Sequence, residues 1–360
     1  GNQTWFMRSE EVAQMWRVVD PIIDTWKKKL TPLHIYNADT NNICSEAKTF
    51  IEERKHKLNK RIGLIGLGKM GGNIARRLMD KGWYVVGYNR TAEVTKQMAK
   101  ENLAPVYSYA DMVKKLPSPR IIWLMVPAGK AVDDTLFGKN GIVQYLDKGD
   151  IVIDGGNSYF KNTIRRAQKL KKMGIKFLDA GVSGGPGGAR SGACTMIGGD
   201  KKLFKYLEPL FQDISQINGY QFFSGAGAGH FVKMIHNGIE YGMMQAIGEG
   251  FNVLKKSDYN LDLHRIADIY NEGSVIESRL VGWLHDAFHE YGTDLKKISG
   301  KVSHSGEGEW TVKTAKAMKL KTKVIEESLK FRKQSQTNPD YTGQVVSALR
   351  GQFGQHPVEK

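Results

Sequence analysis

The sequence predicts a largely parallel, doubly wound α/β sheet followed by an all-α domain, with a small remnant segment in front, and three observations predict it. Short β-branched and apolar runs at 62–66, 84–88, 121–126, 151–153, 177–178 and 195–197 alternate with helical stretches, as parallel strands joined by helical crossovers do. At the glycine-rich hinge Gly225-Ala226-Gly227-Ala228-Gly229 the strand signals stop and only helical periodicity continues. Ahead of the first strand, Val12, Met15, Trp16, Val19, Ile22, Ile23 and Trp26 form one amphipathic pattern, broken by Pro21, that runs into the lysine-rich stretch 52–60; this is too little to fold alone. The expected layout is 1–60 as remnant segment and linker, 61–226 as the sheet domain and 227–360 as the helical domain.

At 360 residues the chain exceeds what one core usually holds, since domains run roughly 100 to 200 residues. Apolar runs such as 121–126 fall far short of the roughly 20 residues of a membrane span, so no membrane partner is expected. Cys44 and Cys194 are too few and too scattered for a disulfide framework or a zinc site. They fit a reducing compartment, with the cytoplasm as the expected location. No leader pattern opens the chain, and Gly1 in place of Met fits a fragment or a cut fusion. The net charge of +16 is dispersed, with no arginine-rich block. That distribution argues against nucleic acid and for a positive field that draws in small phosphorylated ligands.

The first strand runs into Gly66-Leu67-Gly68-Lys69-Met70-Gly71 and a helix expected over 73–81. Glycines at these spacings permit a tight turn and let a pyrophosphate approach the backbone at a helix N-terminus. Gly66, Gly68, Lys69, Met70 and Gly71 are therefore read as cofactor-binding, and the sheet domain as Rossmann-type. The second strand ends in Asn89-Arg90-Thr91. NAD-binding chains place an acid on the ribose roughly 20 residues on; Arg90 can instead pair with a 2′-phosphate, which favours NADP, with NAD as the alternative. Ligands of open α/β sheets sit beyond the carboxyl ends of the strands. Three later strand-end loops are rich in glycine: 126–129 with Val126, 154–158 with Asn157, and 181–188 with Ser183, Gly184 and Gly185. Val126 and Asn157 are assigned to the cofactor, and Asn157, Ser183, Gly184 and Gly185 to the substrate.

On a helix expected over 231–255, Lys233, His236, Asn237, Glu240 and Tyr241 fall at i, i+3, i+4, i+7 and i+8 and share one face. Val232, Ile235, Ile239 and Met243 flank the stripe, and Gly238 and Gly242 are poor helix formers. This argues for close packing around a cleft against a salt-bridged surface stripe. A lysine whose pKa is lowered by burial serves as a base, and a carboxyl group whose pKa is raised serves as an acid. Lys233 and Glu240 are the catalytic candidates. His285 and His289 have i, i+4 spacing but no glutamate base between them, and no metal is expected there.

Together these residues resemble the 6-phosphogluconate dehydrogenases. The resemblance rests on the run Gly229-His230-Phe231-Val232-Lys233-Met234-Ile235-His236-Asn237-Gly238-Ile239-Glu240-Tyr241, on Asp154-Gly155-Gly156-Asn157-Ser158 and Val182-Ser183-Gly184-Gly185, and on Arg332, Arg350 and His356 at matching spacing, and it covers 61–358. It implies oxidation and decarboxylation of 6-phosphogluconate to ribulose 5-phosphate and CO2 with NADP, a step of the pentose phosphate pathway that needs no metal. In that scheme Lys233 takes the 3-hydroxyl proton as hydride leaves carbon 3 for the nicotinamide, and Glu240 protonates carbon 1 of the product after CO2 is lost. His236, Asn237, Asn157 and Ser183 orient hydroxyls and carboxylate, while Tyr241, Arg332, Arg350 and His356 hold the phosphate. In long relatives the C-terminal Arg and His reach into a partner subunit's site, which implies a homo-oligomer, dimer or tetramer.

The helical domain is shorter than in the long members and resembles the short form, which often prefers NAD. Where long relatives carry a substrate lysine before a Trp-Thr pair, the chain has Ser305-Gly306-Glu307-Gly308-Glu309-Trp310-Thr311. Residues 1–57 resemble instead the C-terminal segment of glucose-6-phosphate dehydrogenase, without that enzyme's cofactor and catalytic motifs. The tail of a first enzyme in a fusion of consecutive pathway enzymes would look so. The alternatives are another β-hydroxyacid dehydrogenase, such as one acting on hydroxyisobutyrate, or a non-catalytic remnant of a fusion protein.

Overall fold

The structure, a computed structural model, describes residues 58–304, 306–355 and 358, with Trp16, Val19, Asp20, Pro21 and Ile23 ahead of them. The chain divides into two compact units, Gly1–Lys57 and Leu58–Lys360. In the first, the described residues are helical, as the amphipathic pattern predicts; Val12, Met15, Ile22 and Trp26 lie outside the described residues.

In the second unit eight strands form one sheet: β1 Arg61–Ile65, β2 Tyr84–Tyr88, β3 Ala104–Pro105, β4 Ile121–Leu124, β5 Ile151–Asp154, β6 Lys176–Ser183, β7 Ala193–Gly199 and β8 Ser215–Ser224. Their order is β3-β2-β1-β4-β5-β6-β7-β8, and every pair is parallel except β6 with β7. Helices α1 Lys69–Asp80, α2 Ala92–Ala99, α3 Tyr109–Lys115, α4 Lys130–Phe137, α5 Phe160–Lys172, α6 Gly185–Ser191 and α7 Lys201–Ile214 connect the strands. The rest is helical: α8 Ala228–Lys256, α9 Leu263–Tyr270, α10 Arg279–Tyr291, α11 Glu307–Ala317, α12 Lys323–Gln334 and α13 Tyr341–Gly354. A Rossmann-type sheet followed by an all-α domain is thus the architecture.

The central strands read as unbroken apolar runs because both sheet faces are covered. Successive residues go to opposite layers, as a period of two requires. Ile62, Leu64, Trp123, Ile151 and Ile153 pack in one cluster, and Ile65, Ile122, Leu124 and Val152 in the other. A third cluster, including Tyr241, Phe251, Leu284, Phe288 and Leu349, holds the helices together.

The sequence reading lacks β3 and β8. β3 is a pair of residues ending in Pro105. β8 lies at the sheet edge with a largely polar, half-exposed sequence, and its pairing slips between Ala193 and Thr195, so neither an apolar run nor alternation marks it. The stretch 181–188, expected as a loop, is half strand and half helix: β6 continues through Ser183 and α6 starts at Gly185. Helix α1 starts at Lys69, earlier than expected.

The position of α8 follows from its start. Gly225 and Gly227 have φ of +101° and +87°, values glycine adopts without strain, and they turn the chain out of β8. Asp179, fully buried on β6, accepts the N–H groups of Gly227 at 2.6 Å and His230 at 2.8 Å, tying the first turn to the sheet. A Cβ on Gly229 would overlap the Met196 carbonyl, and one on Gly181 would overlap the root of Lys233. Asp179→Ala is expected to cost about 2–6 kcal/mol, because two buried donors each lose an acceptor worth about 1–3 kcal/mol. The readout is a lower urea midpoint at unchanged slope; a loss below about 1 kcal/mol would mean that water replaces the carboxylate.

Candidate active site

The carboxyl ends of β1, β4, β5 and β6 open on a cleft of about 1170 Å³, walled on the other side by α8 and by residues of α10 to α13. Gly68, Lys69, Met70, Gly71, Val126 and Asn157 line it. Gly66 has φ +96°, and a Cβ there would overlap the Met125 carbonyl; one on Gly71 would overlap the Gly66 carbonyl. Nothing lies within 4 Å of the Cβ position of Gly68. The loop is an open backbone cradle at the start of a helix, and it fits a dinucleotide pyrophosphate. Gly66, Asn89, Arg90 and Thr91 stand outside the cleft lining. Asn89 Oδ1 accepts the Leu67 N–H at 3.0 Å and pins the loop to the end of β2, while Arg90 and Thr91 are exposed at that same strand end. Lys69 Nζ donates to the Gln355 carbonyl at 2.5 Å.

The polar stripe of α8 faces the cleft. Lys233, 5% exposed, His236, Asn237, Glu240 and Tyr241 all line it. His236 stands at the centre: its Nδ1 lies 2.9 Å from Asn237 Oδ1, 3.4 Å from Lys233 Nζ and 3.7 Å from Glu240 Oε2, and its Nε2 lies 3.3 Å from Ser183 Oγ. A proton on Nδ1 would donate to Asn237 and leave Nε2 to accept from Ser183. Burial pushes the Lys233 ammonium below its ordinary value, opposed by Glu240 and Glu307. Burial also pushes the Glu240 carboxyl up, opposed by Lys233 and Arg332, and it pushes His236 down together with Lys233. All three groups are drawn toward their neutral forms. The glycines of the stripe serve packing: a Cβ on Gly238 would come within 2.7 Å of Thr311 on α11, and one on Gly242 within 3.0 Å of Val324 on α12. Ile239 and Met243, by contrast, stay exposed along the cleft.

Asn157 has φ +39°, and its amide is engaged with the backbone of Val182, accepting its N–H at 3.1 Å and donating to its carbonyl at 3.4 Å. The side chain therefore locks the β5 loop to β6. Gly184 and Gly185 border the cleft with φ of +110° and +62°; a Cβ on Gly185 would overlap the Phe353 carbonyl of α13.

At the far end, Arg332, Tyr241, Arg350 and Glu307 are all buried. The Arg332 guanidinium lies 3.4 Å from the centre of the Tyr241 ring, a cation–π stack. Arg350 Nη1 donates to Ser303 Oγ at 2.7 Å. Burial lowers both arginines, Arg332 to about 10, so Arg332 remains charged at neutral pH. Arg350 borders the cleft of its own chain, whereas the likeness to long relatives implied a partner's site. His356 and Ser305 lie outside the described residues. Sequence reasoning assigned no role to Glu307, Trp310 or Tyr159, although all three line the cleft. The run 305–311 carried the signal for the first two, in an acid between two glycines and a tryptophan two residues beyond the second. His285 stacks on His264 at 4.4 Å. Among the described residues no helix is long and apolar enough to cross a membrane.

Residues 61–226 match the model of the NAD binding domain of 6-phosphogluconate dehydrogenase, and residues 229–345 that of the 6-phosphogluconate dehydrogenase C-terminal domain. Residues 1–59 match the C-terminal domain of glucose-6-phosphate dehydrogenase. Over 300 residues the chain is 46% identical to YqeC of Bacillus subtilis, provisionally named a 6-phosphogluconate dehydrogenase, covering 83% of this chain and 99% of that one. It is 39% identical over 300 residues to the NAD(+)-dependent, decarboxylating 6-phosphogluconate dehydrogenase of Haloferax volcanii, covering 83% and 98%. Among solved structures, 6-phosphogluconate dehydrogenase of Plasmodium falciparum aligns with a TM-score of 0.66 at 29% identity, over 80% of this chain and 70% of that one. A dinucleotide domain whose strand ends confront a lysine and a carboxyl group, both drawn toward neutrality, defines an oxidoreductase of the hydroxyacid dehydrogenase class. Within it, the chain belongs to the 6-phosphogluconate dehydrogenase family.

Proposed function

We propose that the chain oxidises 6-phosphogluconate at carbon 3 and decarboxylates it to ribulose 5-phosphate, with NADP as the oxidant. The observation that carries this reading is the Lys233, His236 and Glu240 face, with contacts of 3.4 and 3.7 Å, set beside a corner holding Arg332 and Arg350. Base, acid and anion site lie along one cleft. Neutral Lys233 takes the proton of the 3-hydroxyl. The bound nicotinamide supplies the hydride acceptor. When CO2 departs from the β-keto acid, protonated Lys233 stabilises the enediolate oxygen, and Glu240 delivers a proton to the carbon that has lost the carboxylate, carbon 2 of the substrate and carbon 1 of the product. Ser183, Asn157, His236, Asn237, Gly184 and Gly185 orient hydroxyls and carboxylate; Tyr241, Arg332, Arg350 and His356 hold the phosphate. Residues 61–226 would carry the cofactor and 227–360 the substrate, in a cytoplasmic homo-oligomer, with 1–60 the tail of a fused upstream enzyme and no part of this chemistry.

Cofactor reduction and CO2 release with 6-phosphogluconate test the reaction; reduction with unphosphorylated hydroxy acids alone would reverse it. The NAD(+) dependence of the Haloferax relative makes NADP against NAD the deciding comparison. NADP is favoured because the end of β2 carries Arg90, exposed and with no acid beside it, where a carboxylate would bind the ribose of NAD. Arg90→Asp is expected to lower the NADP to NAD ratio of kcat/KM by about 10–100-fold, from lost charge pairing plus repulsion. An unchanged ratio would make Arg90 a surface residue.

A further inference from the structure

Beyond Glu240, the cleft holds two buried charges of opposite sign that do not pair with each other. Glu307, in the first turn of α11, is 8% exposed, and Arg332 on α12 is 2% exposed. Glu307 Oε2 and Arg332 Nη2 have no hydrogen-bond partner, and both residues line the cleft. Glu307 is close enough to act electrostatically on Lys233, Glu240, Arg332 and Arg350. Its position is built: Gly306 has φ +105°, and a Cβ on Gly308 would overlap the Tyr241 ring, so the start of α11 seats directly on that ring.

A buried acceptor and a buried donor left unmatched each weaken an equilibrium by about 5–150-fold, so this corner favours a ligand group that matches both. A phosphate dianion matches the arginine and repels the carboxylate. A hydroxyl donates one hydrogen bond and accepts another.

We infer that Glu307 is a specificity-determining residue that accepts a hydrogen bond from a hydroxyl on the ligand's carbon chain, next to the phosphate held by Arg332 and Arg350, and so selects polyhydroxylated acids over short 3-hydroxy acids with apolar branches. The inference rests on the reading of the cleft given above. A short branched acid leaves the carboxylate buried without a donor, and sites built to hydrogen-bond a hydroxyl reject analogues lacking it far more strongly than apolar pockets reject an extra methylene. The competing role, an acid that stabilises a helix N-terminus, affects unfolding alone.

The test measures equilibrium binding of 6-phosphogluconate and of 3-hydroxyisobutyrate by tryptophan fluorescence, which needs no turnover, in wild type, Glu307→Gln and Glu307→Ala, with thermal unfolding alongside. Glu307→Ala is expected to raise the Kd of the sugar acid about 10–100-fold and that of 3-hydroxyisobutyrate less than about threefold. Glu307→Gln, which keeps an acceptor and the shape, should show a smaller rise and unfold as wild type does. Unchanged or tighter binding of 6-phosphogluconate in both variants would overturn the inference, as would equal losses for the two acids. Turnover of 6-phosphogluconate by the wild type tests the proposed reaction separately: a protein that shows this binding pattern without turnover refutes the reaction and supports Glu307.

Discussion

Lys233→Met is expected to lower kcat with 6-phosphogluconate by about 10²–10⁴-fold, the range for loss of a general base, while the Kd of NADP changes less than about twofold. The methionine keeps an unbranched stem out to Cε and its packing against Gly181, where the absence of a Cβ makes room for the root of Lys233, so the loss reports the amine. Near-normal turnover in this variant would remove Lys233 from the mechanism. The same pair shapes the pH profile. Lys233 must be neutral to accept a proton, so its active form grows as pH rises through a midpoint lowered from 10.5 by burial. Glu240 must be protonated to donate, so its active form fades as pH rises through a midpoint raised from 4.5 by burial. The profile of kcat/KM is therefore a bell, its rising limb drawn down from the ordinary lysine value and its falling limb drawn up from the ordinary carboxyl value; the limbs belong to the coupled pair and to neither residue singly.

Arg332→Met is expected to raise KM for 6-phosphogluconate about 10–150-fold with little change in kcat, the equivalent of losing charge-assisted hydrogen bonds worth about 1.5–3 kcal/mol. The guanidinium is almost fully buried and stacked on Tyr241, with one long contact to the Ser303 carbonyl at 3.5 Å and an unpartnered Nη2. Such a charge is held ready for an anion. The loss should vanish when gluconate, which lacks the phosphate, replaces the substrate. An equal loss with both acids would place Arg332 outside phosphate binding.

The sheet was legible wherever apolar runs are long enough to be buried on both faces, as at 62–66 and 151–153. It was illegible at β8, where an edge position lets polar residues such as Gln216, Asn218 and Gln221 stand in a strand. The stripe from Lys233 to Tyr241 was readable because helical periodicity is local: five side chains share a face whatever the helix packs against. Spacing alone left open whether that face met solvent.

By itself, then, the sequence determined the fold class, the glycine cradle for a dinucleotide and the order of polar groups along α8. Tertiary structure alone decided that Arg332 and Arg350 enter the same chain's cleft, that His236 Nε2 meets Ser183 of β6, and that Glu307 is buried beside them. The physical reason is range. A turn or a helix face is set by neighbours a few residues away. The convergence of α8, α11, α12 and α13 on one corner depends instead on a shared core, on Gly238 and Gly308 allowing the helices to approach closely, and on burial that no single segment encodes.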